Sequence, residues 1–280
     1  MPRPRIEVFS DFDGTISLED TGCILIDTGI GKAKREAMDV QIMAHELTFL
    51  KAMDYWWSHV ELTFEEALEL LRPAHLDPGF LSFYAFIQSH KIPFSIVSCG
   101  LDVIIQQYMG WHLGEEEAAK LNILANHGKV EGRRWLVTYW DESPHSHDKS
   151  VCIQESKQEF KKALVERQEQ KERAIEAAAT VAAAVAGEET TREEEQQQEE
   201  EEHIVVFCGD GISDLSAARE ADVLFVRKGR NLETYCRTHK IPFTPFDTFE
   251  QVKELIQGLQ DGSLTMIEVH RRQQEECERS

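Results

Sequence analysis

The sequence predicts an α/β fold organised around a parallel β-sheet. Four short apolar runs have the length of buried strands, at residues 6–9, 94–97, 204–208 and 222–226, and segments with helical patterns separate them. Strands joined through helices pair in parallel by right-handed crossovers, so their carboxyl ends lie along one edge of the sheet. Three of the four runs are followed by polar residues, and we therefore expect those residues to meet at that edge.

Two carboxylates, Asp11 and Asp13, follow the first run, and Gly14 and Thr15 then turn the chain. Residues two apart in an extended segment point the same way, so both side chains can converge where open α/β sheets bind ligands. Two close carboxylates repel each other, so either one pKa rises or both hold a cation. Mg²⁺ suits this position because it accepts few carboxylates and keeps water or phosphate oxygens as its other ligands.

This stretch also allows two other interpretations. Asp and Gly are common turn residues, so it can be an ordinary turn. A calcium-binding loop would need an acidic or amide residue at position five, Gly at position six and Glu at position twelve. The chain has Thr15, Ile16 and Gly22 at those positions, which argues against a calcium loop.

The segment 19–76 is predicted to be helical and to form a small cap inserted after the first strand. Residues 32–53 contain neither Gly nor Pro and carry apolar residues at helical spacing. Thr63 and Glu66 form a predicted capping box that starts a further helix. The aromatic residues 55–57 either line a substrate pocket or, as is more common, form the core of this helical unit.

A second candidate ligand site follows the strand at 94–97. Asp77, followed by a proline, predicts the start of a helix that precedes this strand. Ser98 and Gly100 come directly after the strand and lead into another helix. A hydroxyl and free N–H groups at such a junction can hold a phosphate, although Ser is also an ordinary helix cap.

The region 121–140 alternates around a Gly-containing turn and predicts a β-hairpin. His145 and His147 lie in the Pro-containing loop that follows, and we expect a solvated loop rather than metal ligands. Lys149 stands at the junction with an amphipathic helix whose predicted cap is Ser150. A lysine at such a junction is usually a surface residue, so its role depends on its neighbours.

Residues 155–202 form a charged insertion of 48 residues with almost no aromatic side chains. Its first half can continue the preceding helix, whereas the part from Gly187 is polar, of low complexity and predicted to be disordered. Composition does not decide whether the insertion binds a protein partner, and a solvated spacer is the default interpretation.

The third strand, at 204–208, adds Asp210 and Asp214 to the same edge of the sheet. Thr248 predicts the cap of a last helix that runs to about residue 259. The highly charged tail at 266–280 is expected to fray.

The composition excludes several kinds of partner. The formal net charge of −21, from 51 Asp and Glu against 30 Lys and Arg, argues against nucleic acid or an anionic membrane. We find no apolar signal segment and no run of the roughly 18 apolar residues that a membrane span needs. The six cysteines show no CxxC spacing, which argues against zinc and disulfides and predicts a reducing, cytoplasmic location.

Four motifs together resemble those of the haloacid dehalogenase (HAD) superfamily of phosphatases. They are D-F-D-G-T at 11–15, Ser98 after a strand, Lys149, and G-D-G-x-x-D at 209–214. The helical block is similar to the cap of phosphoserine-phosphatase-like members. The stretches 77–105 and 204–255 resemble the 2-hydroxy-3-keto-5-methylthiopentenyl-1-phosphate phosphatases of methionine salvage. The resemblance implies these units: a Rossmann-like core from 1–18 and 77–265, a cap at 19–76, the insertion at 155–202, and a charged tail at 266–280.

The resemblance also implies a mechanism. Asp11 would attack phosphorus and form an aspartyl phosphate. Asp13 would protonate the leaving alcohol and then deprotonate the hydrolytic water. Lys149 would offset the charge clash between the nucleophile and the phosphate, so positioning and charge neutralisation would supply most of the rate.

The ligands implied by the resemblance complete the predicted site. Thr15, Ser98 and the backbone N–H of Gly100 would hold the phosphoryl oxygens. Asp20 falls where phosphoserine phosphatases place a substrate-binding glutamate, and it either contacts substrate or acts as a hinge or helix cap. The Mg²⁺ ligands would be the Asp11 carboxylate, the Asp13 carbonyl, Asp210 and Asp214.

The sequence thus predicts a Mg²⁺-dependent phosphomonoesterase of a small phosphorylated metabolite, with the methionine-salvage enolase phosphate as first candidate. Sugar or polyol phosphates, phosphoserine and phosphocholine are alternatives within this class. A receiver-like signalling domain is disfavoured by Asp13 directly before Gly14 and by the cap. A catalytically silent relative that binds partners through the acidic insertion would be expected to have lost a motif residue, and none is lost.

Overall fold

The computed structural model describes residues 4–144, 146–186 and 202–278, and its centre is a β-sheet. Within these residues the sheet has seven strands in the order β4-β3-β2-β1-β5-β6-β7. Neighbouring strands are parallel except for the antiparallel pair β3 and β4, so the predicted α/β fold with a parallel sheet is confirmed. The strands are β1 (Arg5–Ser10), β2 (Phe94–Leu101), β3 (Asn122–Glu131), β4 (Arg134–Thr138), β5 (His203–Gly209), β6 (Val223–Arg227) and β7 (Thr244–Phe246).

Helices occupy most of the connections between the strands. They are α1 (Thr21–Ile30), α2 (Lys32–Met43), α3 (Phe49–Trp57), α4 (Phe64–Leu71), α5 (Phe80–Ser89), α6 (Asp102–Leu113), α7 (Glu115–Ala118), α8 (Lys149–Ala186), α9 (Leu215–Glu220), α10 (Asn231–His239), α11 (Phe249–Asp261) and α12 (Met266–Glu278). A short 3₁₀ turn, Ile212–Asp214, precedes α9. In the described part of the chain, every helix is too short or too polar to span a membrane.

The sheet is buried on both faces. Successive side chains of a strand point to opposite sides, so Val8 packs with α5, α6 and α11, whereas Phe9 packs with α8, α9 and α10. Val206 and Phe207 of β5 divide in the same way. Because both faces are covered, the strands read as continuous apolar runs rather than alternating ones.

The segment after β1 is helical, as predicted, and forms an apolar cluster with the hairpin of β3 and β4. Trp56 and Trp57 are buried in this cluster, which favours the core interpretation of the aromatic residues there. Trp57 stacks on Trp135 of β4 with ring centroids 5.4 Å apart. The capping box of Thr63 and Glu66 is present at the start of α4. The boundaries 19–76 of a separate cap stay a prediction.

The two linkers that join this helical segment to the sheet run side by side. Leu18 N–H donates to the carbonyl of His75 at 2.8 Å, and Asp77 N–H donates to the carbonyl of Ile16 at 2.9 Å. Ser17 and Leu76 form an antiparallel bridge between them. The two crossings are thus held together at the sheet edge, beside the residues that follow β1.

The local expectations for the helical segment and for the region before α8 have mixed outcomes. The stretch 32–53 is helical as predicted, apart from a break between α2 and α3, where Thr48 caps α3, but two other expectations fail. Ser150 does not cap α8, because Asp148 accepts hydrogen bonds from the backbone N–H and the hydroxyl of Ser150. His147 is fully buried rather than solvated.

The C-terminal part also differs from expectation. Strand β7 and helix α10 were not anticipated by the sequence, and residues 266–278 form the ordered helix α12 instead of a fraying tail. Val269, Gln273 and Cys277 of α12 are buried, and the Gln273 amide donates to the carbonyl of Leu224 at 3.1 Å. This helix was not predicted from the sequence because its few apolar residues are far apart and separated by charged ones.

Other expectations lie partly or wholly outside the described residues. Helix α8 continues through the first half of the insertion to Ala186, as predicted. The low-complexity part from Gly187 and the side chain of His145 lie outside the described residues, so what was predicted for them stays a prediction. All six cysteines are free thiols in this structure.

Asp77 joins the linkers to the core through a buried ion pair and is not a simple helix cap. Its Oδ1 accepts from the N–H groups of Gly79 and Phe249, at 2.8 and 3.0 Å. Its Oδ2 lies 2.6 Å from Nη2 of Arg227, at the carboxyl end of β6. Helix α5 therefore begins at Phe80, and Asp77 instead ties together the starts of α5 and α11.

We predict that Asp77→Asn lowers the free energy of unfolding by about 3 kcal/mol or more, because it leaves the Arg227 guanidinium buried without a counter-charge. Urea unfolding of the full chain measures this loss. The matched control is Glu69→Gln, which breaks the exposed pair with Arg72 and should cost no more than about 0.5 kcal/mol. Equal losses in the two variants would contradict the buried-pair argument.

Candidate active site

The two central strands bring the first and fourth motifs together. β1 and β5 pair in parallel up to Ser10 and Cys208, and Asp11 N–H donates to the carbonyl of Cys208 at 2.9 Å. Asp11 and Asp210 therefore leave the sheet side by side. Ligand oxygens of Asp11, Asp210 and Asp214 all lie within 4.8 Å of one another. The predicted convergence of these three carboxylates at the sheet edge is thus observed.

Lys149 is completely buried among these carboxylates. Its Nζ lies 2.8 Å from Oδ1 of Asp11 and 2.7 Å from Oδ1 of Asp214. The other oxygen of Asp214 accepts from the backbone N–H groups of Asp210 and Gly211, at 2.9 and 3.0 Å. Asp214 is therefore held through both of its carboxylate oxygens. The sequence alone did not decide whether Lys149 is a surface residue, and the structure shows it buried and paired with two carboxylates.

The site carries more negative than positive charge. Burial and the charge of Asp214 raise the pKa of Asp11, against the opposing effect of Lys149. Burial and Asp214 also raise the pKa of Asp210 to about 7. Asp11 and Asp214 raise the pKa of Lys149 despite its burial, so this lysine stays charged. The carboxylates thus compete for one cation, and a hard divalent ion fits this donor set.

The Asp13 carboxylate is turned away from this triad. Its Oδ1 accepts from the backbone N–H and the hydroxyl of Thr21, at 2.7 and 2.6 Å. Burial, followed by the charge of Asp20, raises the pKa of Asp13 to about 8. Among the described side chains, the group of carboxylates close enough to share a metal does not include Asp13, so its predicted role as a metal ligand rests on its carbonyl.

The predicted phosphate-binding residues lie at the same edge. The Thr15 hydroxyl is buried and is 3.4 Å from Oδ1 of Asp210. Ser98 is also buried, and its Oγ accepts from the Gly100 N–H at 3.0 Å. That N–H is thus engaged with Ser98 in this structure. A Cβ on Gly100 would lie 3.0 Å from Oδ2 of Asp13, so these two loops approach each other closely.

Gly14 is required by the geometry of the first motif. Its φ is +73°, a conformation that residues with a side chain rarely adopt. A Cβ at this position would lie 2.2 Å from Oδ2 of Asp210. The glycine therefore lets the loops after β1 and β5 pack against each other, which brings the carboxylates together.

Asp20 acts as a helix cap in this structure. Its Oδ1 accepts from the N–H of Cys23 at 2.7 Å in the first turn of α1, and the residue is exposed. Its charge also helps to raise the pKa values of Asp13 and Asp210. The helix-cap interpretation is thus observed, while a contact with substrate stays a prediction.

Arg227 is a buried residue of this site that sequence reasoning missed. Besides Asp77, its Nη2 donates to the carbonyl of Thr15 at 2.6 Å, and its Nη1 donates to the carbonyl of Asp247 at 2.7 Å. It therefore fixes the loop after β1 from the far side of the sheet edge. A charged residue directly after four apolar ones, at the end of a buried strand, is the sequence signal that could have identified it.

A parallel sheet that carries a carboxylate cluster and a buried lysine at its carboxyl edge is the arrangement that the four sequence motifs predict. Residues 8–219 match the family model of the haloacid dehalogenase-like hydrolases. The chain belongs to this family, and it is a phosphatase, a phosphoric monoester hydrolase. The resemblance noted in the four motifs is therefore confirmed.

Curated relatives extend over nearly the whole chain. The polyol phosphate phosphatase PYP1 of Saccharomyces cerevisiae is 31% identical over 94% of this chain and 97% of its own length. Pdp3-interacting factor 1 of Schizosaccharomyces pombe is 33% identical over 92% and 97%. A 2-hydroxy-3-keto-5-methylthiopentenyl-1-phosphate phosphatase of Bacillus mycoides is 26% identical over 88% and 94%.

Solved structures share the fold. A phosphoserine phosphohydrolase-like protein from Francisella tularensis superposes with a TM-score of 0.56, at 14% identity over 89% of this chain and 99% of that one. A phosphoserine phosphatase with a phospho-aspartyl intermediate analogue gives 0.51, at 15% identity over 82% and 90%. At these identities the likeness concerns the fold alone.

We predict that the metal-free protein loses stability as the pH rises from 5 to 8, in part through Asp13. Its folded pKa of about 8 lies above its ordinary value, so the folded state binds this proton more tightly than the unfolded chain. The resulting stabilisation is present at low pH and is lost as the pH rises through 8. Thermal melts in EDTA should therefore show a smaller fall in Tm for Asp13→Asn than for the wild type.

The control for this measurement is Asp54→Asn, which changes an exposed aspartate of α3. Its Tm should follow the wild-type curve over the same pH range. Parallel curves for the wild type and Asp13→Asn would show that the Asp13 proton is not bound more tightly in the folded state.

Proposed function

We propose that this phosphatase hydrolyses small phosphorylated metabolites through an aspartyl-phosphate intermediate, with Mg²⁺ bound at Asp11, Asp210 and Asp214. The observation that carries the proposal is the buried Lys149, which contacts both Asp11 and Asp214 at the carboxyl edge of the sheet. Bound Mg²⁺ would supply the positive charge that keeps these carboxylates ionised and offsets the charge of a phosphate.

Asp11 is the proposed nucleophile. Its carboxylate is held by Lys149 and by the N–H of Phe12, which donates to Oδ1 at 2.6 Å. These contacts fix the direction of attack and favour the ionised form. In the first step a bond forms between an Asp11 oxygen and phosphorus, while the bond between phosphorus and the alcohol oxygen breaks. Water then attacks the same phosphorus, and the bond to Asp11 breaks as inorganic phosphate is released.

Asp13 is the proposed general acid and base. With its pKa raised to about 8, it holds a proton at neutral pH and can give that proton to the leaving alcohol oxygen. Thr21 occupies Oδ1 through two hydrogen bonds, which leaves Oδ2, beside Gly100, as the oxygen for proton transfer. Once ionised, the same oxygen can take a proton from the attacking water.

Phosphate binding completes the proposed roles. The hydroxyls of Thr15 and Ser98 would donate to the phosphoryl oxygens, together with the Gly100 N–H once substrate replaces its bond to Ser98. Lys149 would offset the combined charge of Asp11 and the phosphate. Fixed donors of this kind act most strongly in a site from which water is excluded, and both hydroxyls are buried.

We propose a polyol phosphate as the first candidate substrate. The relative named as a polyol phosphate phosphatase shares more identity with this chain than the Bacillus mycoides methylthiopentenyl phosphatase, over a larger share of the chain. This moves the methionine-salvage enolase phosphate, the first candidate from the sequence, to second place. A protein partner at the acidic insertion stays a prediction, although one relative is named for an interaction with Pdp3.

The mechanism predicts that Asp11→Asn lowers turnover of p-nitrophenyl phosphate by about 10³-fold or more, because it removes the proposed nucleophile. EDTA should abolish turnover and Mg²⁺ should restore it. Mg²⁺ should also raise the Tm of the wild type but not of Asp210→Asn, a readout that does not depend on activity. Asp54→Asn is the matched control and should behave as wild type in both assays. Turnover that resists EDTA, or an undiminished Asp11→Asn, would exclude the mechanism.

The substrate proposal predicts the highest kcat/KM for a polyol phosphate. A panel would compare polyol phosphates of increasing chain length with the methylthiopentenyl phosphate, phosphoserine and phosphocholine. We expect a preference of at least about tenfold, since a site that hydrogen-bonds substrate hydroxyls discriminates strongly against compounds that lack them. A higher kcat/KM for the methylthiopentenyl phosphate would reverse the order of the two candidates without affecting the mechanism.

A further inference from the structure

The turn that carries Ser98 and Gly100 interrupts the regular pairing of β2. Ser98 is opposite Ala125 of β3, but the next matched pair is Leu101 with Asn126, so the intervening residues of β2 have no matched partner on β3. On its other side β2 pairs with β1 only as far as Ile96. The buried carbonyls of this turn therefore need hydrogen-bond donors from outside the strand ladder.

Two buried side chains supply those donors. The Asn126 amide donates to the carbonyl of Cys99 at 2.8 Å, and its Oδ1 accepts from the N–H of Trp140. Nδ1 of His147 lies 3.0 Å from the carbonyl of Ser98. Both Asn126 and His147 are fully buried. The turn is thus held by residues that the mechanism above does not use.

The hydrogen bonds of His147 define its tautomer. A carbonyl oxygen can only accept, so Nδ1 carries the proton and the imidazole donates to Ser98. The lone pair of Nε2 then faces Sγ of Cys152 at 3.6 Å and accepts from its thiol. Burial lowers the pKa of His147 to about 4 and raises that of Cys152 to about 11, in agreement with a neutral imidazole and a protonated thiol.

His147 also stands two residues before Lys149. Its ring stacks on Trp140 with centroids 5.0 Å apart, and it lies in the segment that leads into α8. One imidazole thus connects the turn that carries the Ser98 hydroxyl to the segment that carries the buried lysine. A shift of either element would change the distance between a phosphate donor and the charge beside the nucleophile.

We propose that His147 is a positioning residue, whose Nδ1–H holds the carbonyl of Ser98 so that the Ser98 turn and Lys149 keep the spacing that a bound phosphate requires. The inference rests on the proposed role of Ser98 as a phosphate ligand. It assigns His147 no contact with substrate or metal. Its effect is transmitted through the backbone of Ser98 and through the two peptide bonds, by way of Asp148, that join His147 to Lys149.

The test replaces each imidazole nitrogen separately. The amide nitrogen of His147→Asn can take the place of Nδ1, whereas that of His147→Gln can take the place of Nε2. We expect His147→Gln to lower kcat/KM for p-nitrophenyl phosphate by about 10- to 100-fold, as a small misplacement of a catalytic element does. His147→Asn should stay within about fivefold of wild type, because it keeps the hydrogen bond to the Ser98 carbonyl although it loses the bond to Cys152 and the stacking on Trp140. Inhibition by inorganic phosphate should weaken in the Gln variant alone.

Stability measurements separate a positioning role from a merely structural one. Both variants lose the ring and its stacking on Trp140, so the proposal expects their Tm values to fall by similar amounts while their activities differ. A merely structural role would instead lower the two activities equally. His239→Asn and His239→Gln are matched controls, since His239 also bonds a carbonyl through Nδ1 but is exposed on α10. Equal activity losses in the two His147 variants, or no loss in either, would overturn the proposal.

A measurement on the wild type decides the matter if the variants fold poorly. ¹⁵N NMR of the labelled full chain should show His147 as the Nδ1–H tautomer, and its Nδ1 resonance should move when inorganic phosphate and Mg²⁺ bind. An Nε2–H tautomer, or an Nδ1 chemical shift that does not change when phosphate and Mg²⁺ bind, would overturn the proposal. Phosphate binding measured by the shift in Tm, without any turnover, separates this outcome from a failure of the proposed hydrolysis.

Discussion

The buried ammonium group of Lys149 is the constraint on which the rest of the site depends. A charge without solvent is tolerated only when it is paired, and Lys149 is paired twice, with Asp11 after β1 and with Asp214 before α9. These three residues come from separate parts of the chain. The ion pairs can form only if β1 and β5 are neighbours and α8 begins beside their carboxyl ends. The charge pairing and the order of the strands therefore support each other.

The pairing leaves the site short of positive charge, and this shortage explains its chemistry. Lys149 balances one carboxylate, while Asp210 and Asp13 remain with raised pKa values. Burial and neighbouring carboxylates raise both pKa values, but the two side chains point in different directions. Asp210 faces the other carboxylates, which suits a metal ligand, whereas Asp13 is anchored to Thr21 and faces Gly100, which suits a proton carrier. Separate environments thus give similar side chains separate roles.

The loops that hold the site are fixed by polar side chains from behind. Arg227 bonds the carbonyl of Thr15 and is itself balanced by Asp77, at the point where the chain returns from the helical segment. His147 bonds the carbonyl of Ser98. In both cases a buried side chain satisfies a backbone acceptor that the sheet cannot, which is the usual requirement for a loop that is not exposed to water.

Local pattern was enough to predict the strands β1, β2, β5 and β6, the hairpin and the carboxylates that meet at the sheet edge. Apolar runs and the polar residues that follow them depend only on near neighbours in the chain, and parallel pairing then places Asp11 and Asp210 together. Helix α12 was misjudged because its few buried residues, such as Val269, are separated by charged ones. Asp77 was interpreted as a simple helix cap because its ion-pair partner, Arg227, lies 150 residues away in the sequence.

By itself the sequence determined the α/β class, the acidic edge of the sheet and the phosphatase chemistry, since motifs and apolar periods are local properties. Only the tertiary structure decided how each group is used. It turned Asp13 toward Thr21, buried Lys149, and brought Arg227 to Thr15 across 212 residues of sequence and His147 to Ser98 across 49. The physical reason is that burial and charge pairing arise from contacts between remote segments, which no local pattern of residues encodes.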